Sequence, residues 1–259
     1  MIITKIKPQS FCKGVVRAMH ILENAINDEA TPKPIYLLGQ LVHNTFIAKA
    51  YEDLGVIYVN SIDEVSSGSI AITAHGTPDA LIEKIKHKGI HLIDATCPDV
   101  LKTHHLVKKK LSSGYRVLFF GKKNHPETKA VLSISSDIEL IEDINDAHAI
   151  TLKNQQTIFA TQTTMSYIDV VDVLLALKKT IPTIESYEDV CNATKLRQLA
   201  LIEADKNHDC CIIVGDMKSN NTKKLSEICI THTSMVCIMT DSIEGLAHID
   251  LSNYELLAI

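Results

Sequence analysis

The sequence predicts an α/β fold of three similar αβ lobes arranged as a pseudo-threefold trefoil. Three observations predict it. Apolar strand-like runs alternate with helix-like stretches along the whole chain, the pattern of largely parallel sheets. Three of those runs, IYLLGQLVHN, VLFFGKKNHP and CIIVGDMKSN, end in a glycine (Gly39, Gly121, Gly215) with a polar side chain four residues later (His43, His125, Ser219). Three cysteines, Cys12, Cys97 and Cys191, each stand just before a helix-like run. They are 85 and 94 residues apart, while the glycines step by 82 and 94. Matching periods put the cysteines at equivalent places in three repeats, and closure about a threefold axis would bring their helix starts to one centre.

The first lobe is expected over 13–96. KGVVRAMHILENA follows Cys12 as a helix, IYLLG and IYVNSIDEV follow as a strand and a similar short piece, and SIAIT leads into the polar loop TAHGT with His75. The second lobe, 97–190, opens at LIDATCPDV. Pro98 suits a first helical turn, where its missing N–H would have no partner, and Val100, Leu101, Leu106, Val107 and Leu111 continue at helical spacing. That places Cys97 at a helix N-terminus, where the dipole is expected to favour a thiolate. VLFFG, LIEDINDAH and TIFATQTT repeat the pattern, the last with Thr163 in its loop. The third lobe, 191–259 plus 1–12, runs through NATKLRQLALIEA, CIIVG and IMTDSIEGL to YELLAI, the third strand of the SIAIT and TIFAT type. MIITKIKPQSFC supplies the strand before Cys12. This lobe is expected to be C-terminally incomplete, lacking a loop and helix and leaving one side of a pocket open to water.

Composition narrows the function. Lys and Arg number 26 against 31 Asp and Glu, a net charge of −5, with none of the basic stripe of a nucleic-acid binder. The N-terminus is too short and polar for a signal peptide, and no run of 18 apolar residues suggests a membrane span. Seven cysteines without a C-x-x-C pair fit neither a secreted disulfide scaffold nor a zinc ribbon. The expected setting is reducing and cytoplasmic, with no nucleic-acid or membrane partner.

A single cysteine before a helix is ordinarily a small buried hydrophobe, and Cys210, Cys211, Cys229 and Cys237, in or beside apolar runs, read that way. Three at the repeat period point instead to a metal. Zinc with three ligands and an open position is one reading. The other is an iron–sulfur cluster, which normally takes four cysteines and with three leaves an open site. His43, His75, His125, Ser219 and Asn221 lie in the polar loops and supply donors that suit an anion. Glu127, two residues after His125, is the carboxylate for proton delivery.

The combination FCKGV, LVHN, TAHGT, DATCP, NHPE, TQTT, DVCNAT and KSNN, in this order, resembles the 4-hydroxy-3-methylbut-2-enyl diphosphate reductase family, the terminal iron–sulfur reductases of the non-mevalonate isoprenoid pathway. The resemblance implies a trefoil around one central [4Fe-4S] cluster per chain, held by Cys12, Cys97 and Cys191 with one open iron site. It implies His43, His75, His125, Thr163, Thr164, Thr194, Ser219, Asn220 and Asn221 around the substrate, and Glu127, Thr163 and His125 in catalysis. The implied reaction is reductive dehydroxylation to isopentenyl and dimethylallyl diphosphates, with electrons from a small protein such as ferredoxin or flavodoxin. The chain departs from the family pattern at Ser10 and Asn124, where glycines are usual, and at Lys218-Ser219-Asn220-Asn221, where Asn-Ser-Ser-Asn is usual. It also stops before a segment resembling Ala-Gly-Ala-Ser-Thr-Pro, whose serine also holds the diphosphate. A non-catalytic metal- or anion-binding remnant of the same fold is the alternative reading. A nucleotide-binding transferase is a weaker one, because no G-x-G-x-x-G or G-x-x-x-x-G-K-[ST] loop is present.

Overall fold

A computed structural model of the 259-residue chain describes residues 1–42, 44–187 and 190–259. Its elements follow the repeat. After β1 (Ile2–Thr4) come α1 (Lys13–Asn27), β2 (Ile35–Leu38), α2 (Thr45–Asp53), β3 (Val56–Val59), a 3-10 turn (Ile62–Glu64), β4 (Ser69–Ile72), α3 (Asp79–His87) and β5 (His91–Asp94). The second set is α4 (Pro98–Ser112), β6 (Arg116–Phe120), α5 (Pro126–Leu132), β7 (Glu139–Ile141), α6 (Ile144–Ala149), β8 (Thr157–Thr161), α7 (Tyr167–Thr180) and β9 (Glu185–Tyr187). The third is α8 (Asn192–Ala204), β10 (Cys210–Val214), α9 (Asn220–His232), β11 (Val236–Thr240), α10 (Ile243–Ala247) and β12 (Leu256–Ala258).

These strands form three four-stranded parallel sheets, ordered β3-β2-β4-β5, β7-β6-β8-β9 and β11-β10-β12-β1. In chain order within each lobe the three are the same sheet, except that β1, from the chain's start, takes the edge that β5 and β9 take in the others. It pairs Ile2, Ile3 and Thr4 with Leu256, Leu257 and Ala258.

The chain divides into two compact units. One, Met1–Ser10, Thr163–Asp169 and Val190–Ile259, contains the third sheet; the other, Phe11–Gln162 and Val170–Asp189, contains the first two. Among the described residues no helix is long and apolar enough to cross a membrane.

Local chemistry explains why each repeat folds alike. The glycine after each first strand donates its N–H to the last residue of the neighbouring strand: Gly39 to Val59, Gly121 to Ile141 and Gly215 to Thr240, at 2.8–3.0 Å. The reason for glycine differs between repeats. Gly39 lies at φ +75°, whereas a Cβ on Gly121 would meet Thr128 Oγ1 at 2.6 Å, and Gly215 is crowded in the same way by Thr222. Ser61, Asp143 and Ser242 then cap the short helical piece that follows in each lobe.

The central strands are buried on both faces, so β4, β6 and β8 read as continuous apolar runs rather than alternating ones. Leu22 of α1 packs with Leu37 and Ile93 on one face of the first sheet, and Ile70, Ile72 and Ile85 fill the other. Each such side chain contributes about 1.5–3 kcal/mol by leaving water. Buried Arg116 pins β6 to β7 through two 2.7 Å bonds to Glu139, whose carboxyl its guanidinium holds down to about 2.

Candidate active site

All three repeat cysteines are helix N-caps, with extended backbone before α1, α4 and α8 (Cys12 φ −74°, Cys97 φ −61°, Cys191 φ −63°). Two are set in place by one recurring bond. The Cys97 N–H donates to Ala74 O and the Cys191 N–H to Thr163 O, both at 3.0 Å, and each acceptor lies two residues past the third strand of its lobe.

Within the larger unit, Cys12 and Cys97 share a neighbour. A Cβ built on Gly14 would lie 2.6 Å from Cys97 Sγ and 3.8 Å from Cys12 Sγ, so both sulfurs close around one point of the α1 backbone. Arg17, one turn further on, donates to Thr96 O at 2.9 Å, and the Thr96 N–H is held by Asp94 Oδ1 at 2.9 Å. The Cys97 thiol departs from the sequence expectation of a favoured thiolate. Burial pushes its pKa up from the ordinary value, outweighing the N–H groups of Asp99 and Val100 that favour the thiolate.

His75 and His125 meet edge to face, with ring centroids 5.2 Å apart and planes at 88°. His75 Nδ1 lies 3.4 Å from Thr73 Oγ1. His125 caps α5 by accepting the Glu127 N–H at Nδ1 (3.3 Å), which leaves the ring proton on Nε2. Glu127 is 0% exposed, in the first turn of α5, so it is no solvated surface carboxylate. Buried Gln162 accepts from the Lys122 N–H and from Thr128 Oγ1 through one oxygen, joining α5 to the end of β8. His43 lies outside the described residues.

The smaller unit gathers the remaining candidates. Cys191 Sγ lies 3.0 Å from Thr194 Oγ1 and accepts the Thr194 N–H at 3.4 Å. Thr163 and Thr194 are buried. Ser219 caps α9 by accepting the Thr222 N–H at 3.3 Å. Asn220 turns its amide to Thr164, donating to the carbonyl at 3.0 Å and to Oγ1 at 2.9 Å. Asn221 keeps a buried Oδ1 with no hydrogen-bond partner among the described residues.

Among the described residues, no three His, Cys, Asp or Glu side chains are grouped as a metal site. Two residues that matter to the site escaped the sequence reading. Gly14 carried a signal, its fixed place two residues after the first cysteine. Gln198, 1% exposed on α8, carried none: its amide bridges Met165 O (3.1 Å) and the Tyr167 N–H (2.7 Å), holding the loop that bears Thr163 and Thr164.

The class of protein follows from likeness to solved structures. The chain is similar over 99% of its length, with TM-score 0.91 and 30% identity, to the E-1-hydroxy-2-methyl-but-2-enyl-4-diphosphate reductase of Plasmodium falciparum, 81% of which it covers. A second solved structure, described as (E)-4-hydroxy-3-methyl-but-2-enyl diphosphate reductase, the terminal enzyme of the non-mevalonate pathway, matches at TM-score 0.69 and 27% identity over 100% of this chain and 92% of that one. Relatives named 4-hydroxy-3-methylbut-2-enyl diphosphate reductase from a Geobacillus species and from Bacillus cytotoxicus are 39% and 41% identical over 235 residues, 88% of this chain and 75% of each relative. The LytB protein family matches residues 3–259, and the chain belongs to that family.

Proposed function

We propose that the chain is a reductase that converts 4-hydroxy-3-methylbut-2-enyl diphosphate to isopentenyl and dimethylallyl diphosphates, the last step of the non-mevalonate route. The observation that carries this reading is the set of three cysteine N-caps, one opening each lobe. Three soft thiolates suit iron and sulfide better than a hard cation, and the Gly14 backbone leaves the Cys12 and Cys97 sulfurs room that a side chain would take. Cys12, Cys97 and Cys191 would hold a [4Fe-4S] cluster with one open iron site, which supplies the electrons and a Lewis acid. Iron charge would also offset the burial that raises the Cys97 thiol, since a coordinating thiol is deprotonated outright.

The chain's own residues do the rest. Two electrons and two protons enter, the C4–O bond breaks, oxygen leaves as water, and one proton adds to carbon at either end of the allylic system. Glu127, shielded from water, delivers the proton to the leaving hydroxyl, and Thr163 and His125 orient that hydroxyl. His75, His43, Thr164 and Thr194 line the substrate. Ser219, Asn221 and the N–H groups opening α9 hold the diphosphate, whose charge suits a helix N-terminus. Ferredoxin or flavodoxin supplies the electrons.

Anaerobic reconstitution followed by iron and sulfide analysis, then turnover with a reduced dye, tests the reading. About four irons per chain and formation of both products are expected. A metal-free protein, or a loaded one that leaves the substrate unchanged, would overturn it.

A further inference from the structure

The segment Thr163–Asp169 is tied alternately to two helices. Toward α8, Thr163 O accepts from the Cys191 N–H at 3.0 Å, Gln198 bridges Met165 and Tyr167, and Lys195 Nζ stands 3.9 Å over the Tyr167 ring. Toward α9, Asn220 holds Thr164 through both its carbonyl and its hydroxyl, and one turn later buried Lys224 pairs with Asp169 (3.4 Å) and Glu227. Asn220 and Lys224 are four residues apart and therefore on one face of α9. The α9 N-terminus and the Thr163 loop are thus held as a single body, and the cysteine of the third repeat is bonded to the same loop.

We propose that Asn220 is a positioning residue for the reductase reaction, not a diphosphate ligand: its amide registers the α9 N-terminus against Thr163 and Thr164. The inference rests on the function proposed above. At this position, where serine is usual in the family pattern, a hydroxyl is too short to span both acceptors, whereas the longer amide reaches the carbonyl and the hydroxyl of Thr164. Orientation of substrate by fixed side chains acts on the transition state, and small displacements are costly there. Removing the amide therefore lowers kcat more than it raises KM.

The test compares Asn220→Ser and Asn220→Asp with the parent in the anaerobically loaded protein. Four quantities are read: kcat, KM, the Kd of inorganic pyrophosphate by calorimetry, and hydrogen exchange of the amides in 163–169. Expected results are a kcat reduced at least about fivefold, a pyrophosphate Kd within about twofold of the parent, and faster exchange in that segment. Thr164→Val is expected to be non-additive with Asn220→Ser in kcat, as for residues in direct contact. A tenfold weaker pyrophosphate Kd with kcat unchanged would make Asn220 a ligand and overturn the proposal. Unchanged exchange in 163–169 would overturn it too. A parent that turns over nothing would sink the reductase reading, while the exchange comparison still decides whether the tether exists.

Discussion

Gly14 and Cys97 are 83 positions apart in the chain, yet a Cβ on Gly14 would lie 2.6 Å from Cys97 Sγ and 3.4 Å from Cys97 Cβ. Neither atom is at the end of a long flexible side chain, so the thiol has little room to retreat. Gly14→Ala is expected to displace Cys97 by the usual penalty of overpacking, about 1–3 kcal/mol. Iron bound after anaerobic reconstitution should fall by about half or more while far-ultraviolet circular dichroism is unchanged. Full iron loading would show that the glycine serves only the helix.

The other four cysteines lie within β10, α9 and β11 rather than at helix N-caps. Burial pushes the Cys210 thiol up to about 11, contact with Cys229 and burial raise Cys237, and contact with Cys211 raises Cys229. A thiol held protonated is a poor nucleophile. In the folded protein at pH 8, iodoacetamide should leave Cys210 and Cys229 unmodified until denaturant is added. Cys210→Ala or Cys229→Ala should leave iron content unchanged, whereas Cys12→Ser, Cys97→Ser or Cys191→Ser should lower it.

Glu127→Gln keeps the shape of a side chain that is 0% exposed and keeps its backbone bond to His125. It removes the transferable proton. Turnover should fall by roughly 10²-fold or more, the scale of a general acid, with iron content and pyrophosphate affinity retained. Equal turnover in the two proteins would remove Glu127 from the proton path.

Ser10 is the one non-glycine residue at positive φ among the described residues, at +70°, and the Arg197 guanidinium donates to its carbonyl. The left-handed conformation costs a residue with a Cβ about 1–2 kcal/mol, while glycine gives back about 0.5–1 kcal/mol in chain entropy. Ser10→Gly should therefore stabilise the fold by about 0.5–1 kcal/mol, raising Tm by roughly 1–4 °C. A lower Tm would mean that the Ser10 side chain contributes more than its backbone strain costs. Asn124, the other place where the family pattern has glycine, is not at positive φ and needs no such exchange.

His104 of α4 is buried, its Nε2 has no hydrogen-bond partner among the described residues, and its ring lies 3.3 Å from the position of a Cβ on Gly76. Burial lowers its pKa from the ordinary 6.5, helped by Lys108 and His105 and opposed by Asp79. The folded state thus binds that proton less readily than the unfolded state. Its stabilising effect is complete above the unfolded value and is lost as pH falls below about 6.5. The drop in Tm between pH 7.5 and pH 5.5 should be smaller in His104→Leu than in the parent; an equal drop would assign the pH response elsewhere.

Much of this was legible in the sequence because it is local and periodic. The helix starts at Cys12, Cys97 and Cys191 follow from the helix-like run after each cysteine, and in one case from Pro98. The glycines at 39, 121 and 215 fall where a strand must turn, and each proves to make the same backbone bond. Ser219 and His125, read as polar loop residues, are the caps of α9 and α5.

What only the tertiary structure decided involves residues distant in the chain. That Glu127 is sealed from water depends on what packs over α5, and that Gly14 must lack a side chain depends on a sulfur from another helix. The Cys97 thiol shows the difference most plainly. The helix dipole is set by the local chain and favours the thiolate, but the desolvation that outweighs it is created by packing. Asn220 follows the same rule: its place at the start of α9 is written in local sequence, while its partner, Thr164, lies 56 residues away and is brought within 3 Å only by the fold. Periodicity and capping act within a turn or a strand and so survive in the sequence, whereas burial and long-range hydrogen bonds exist only once separate elements have packed.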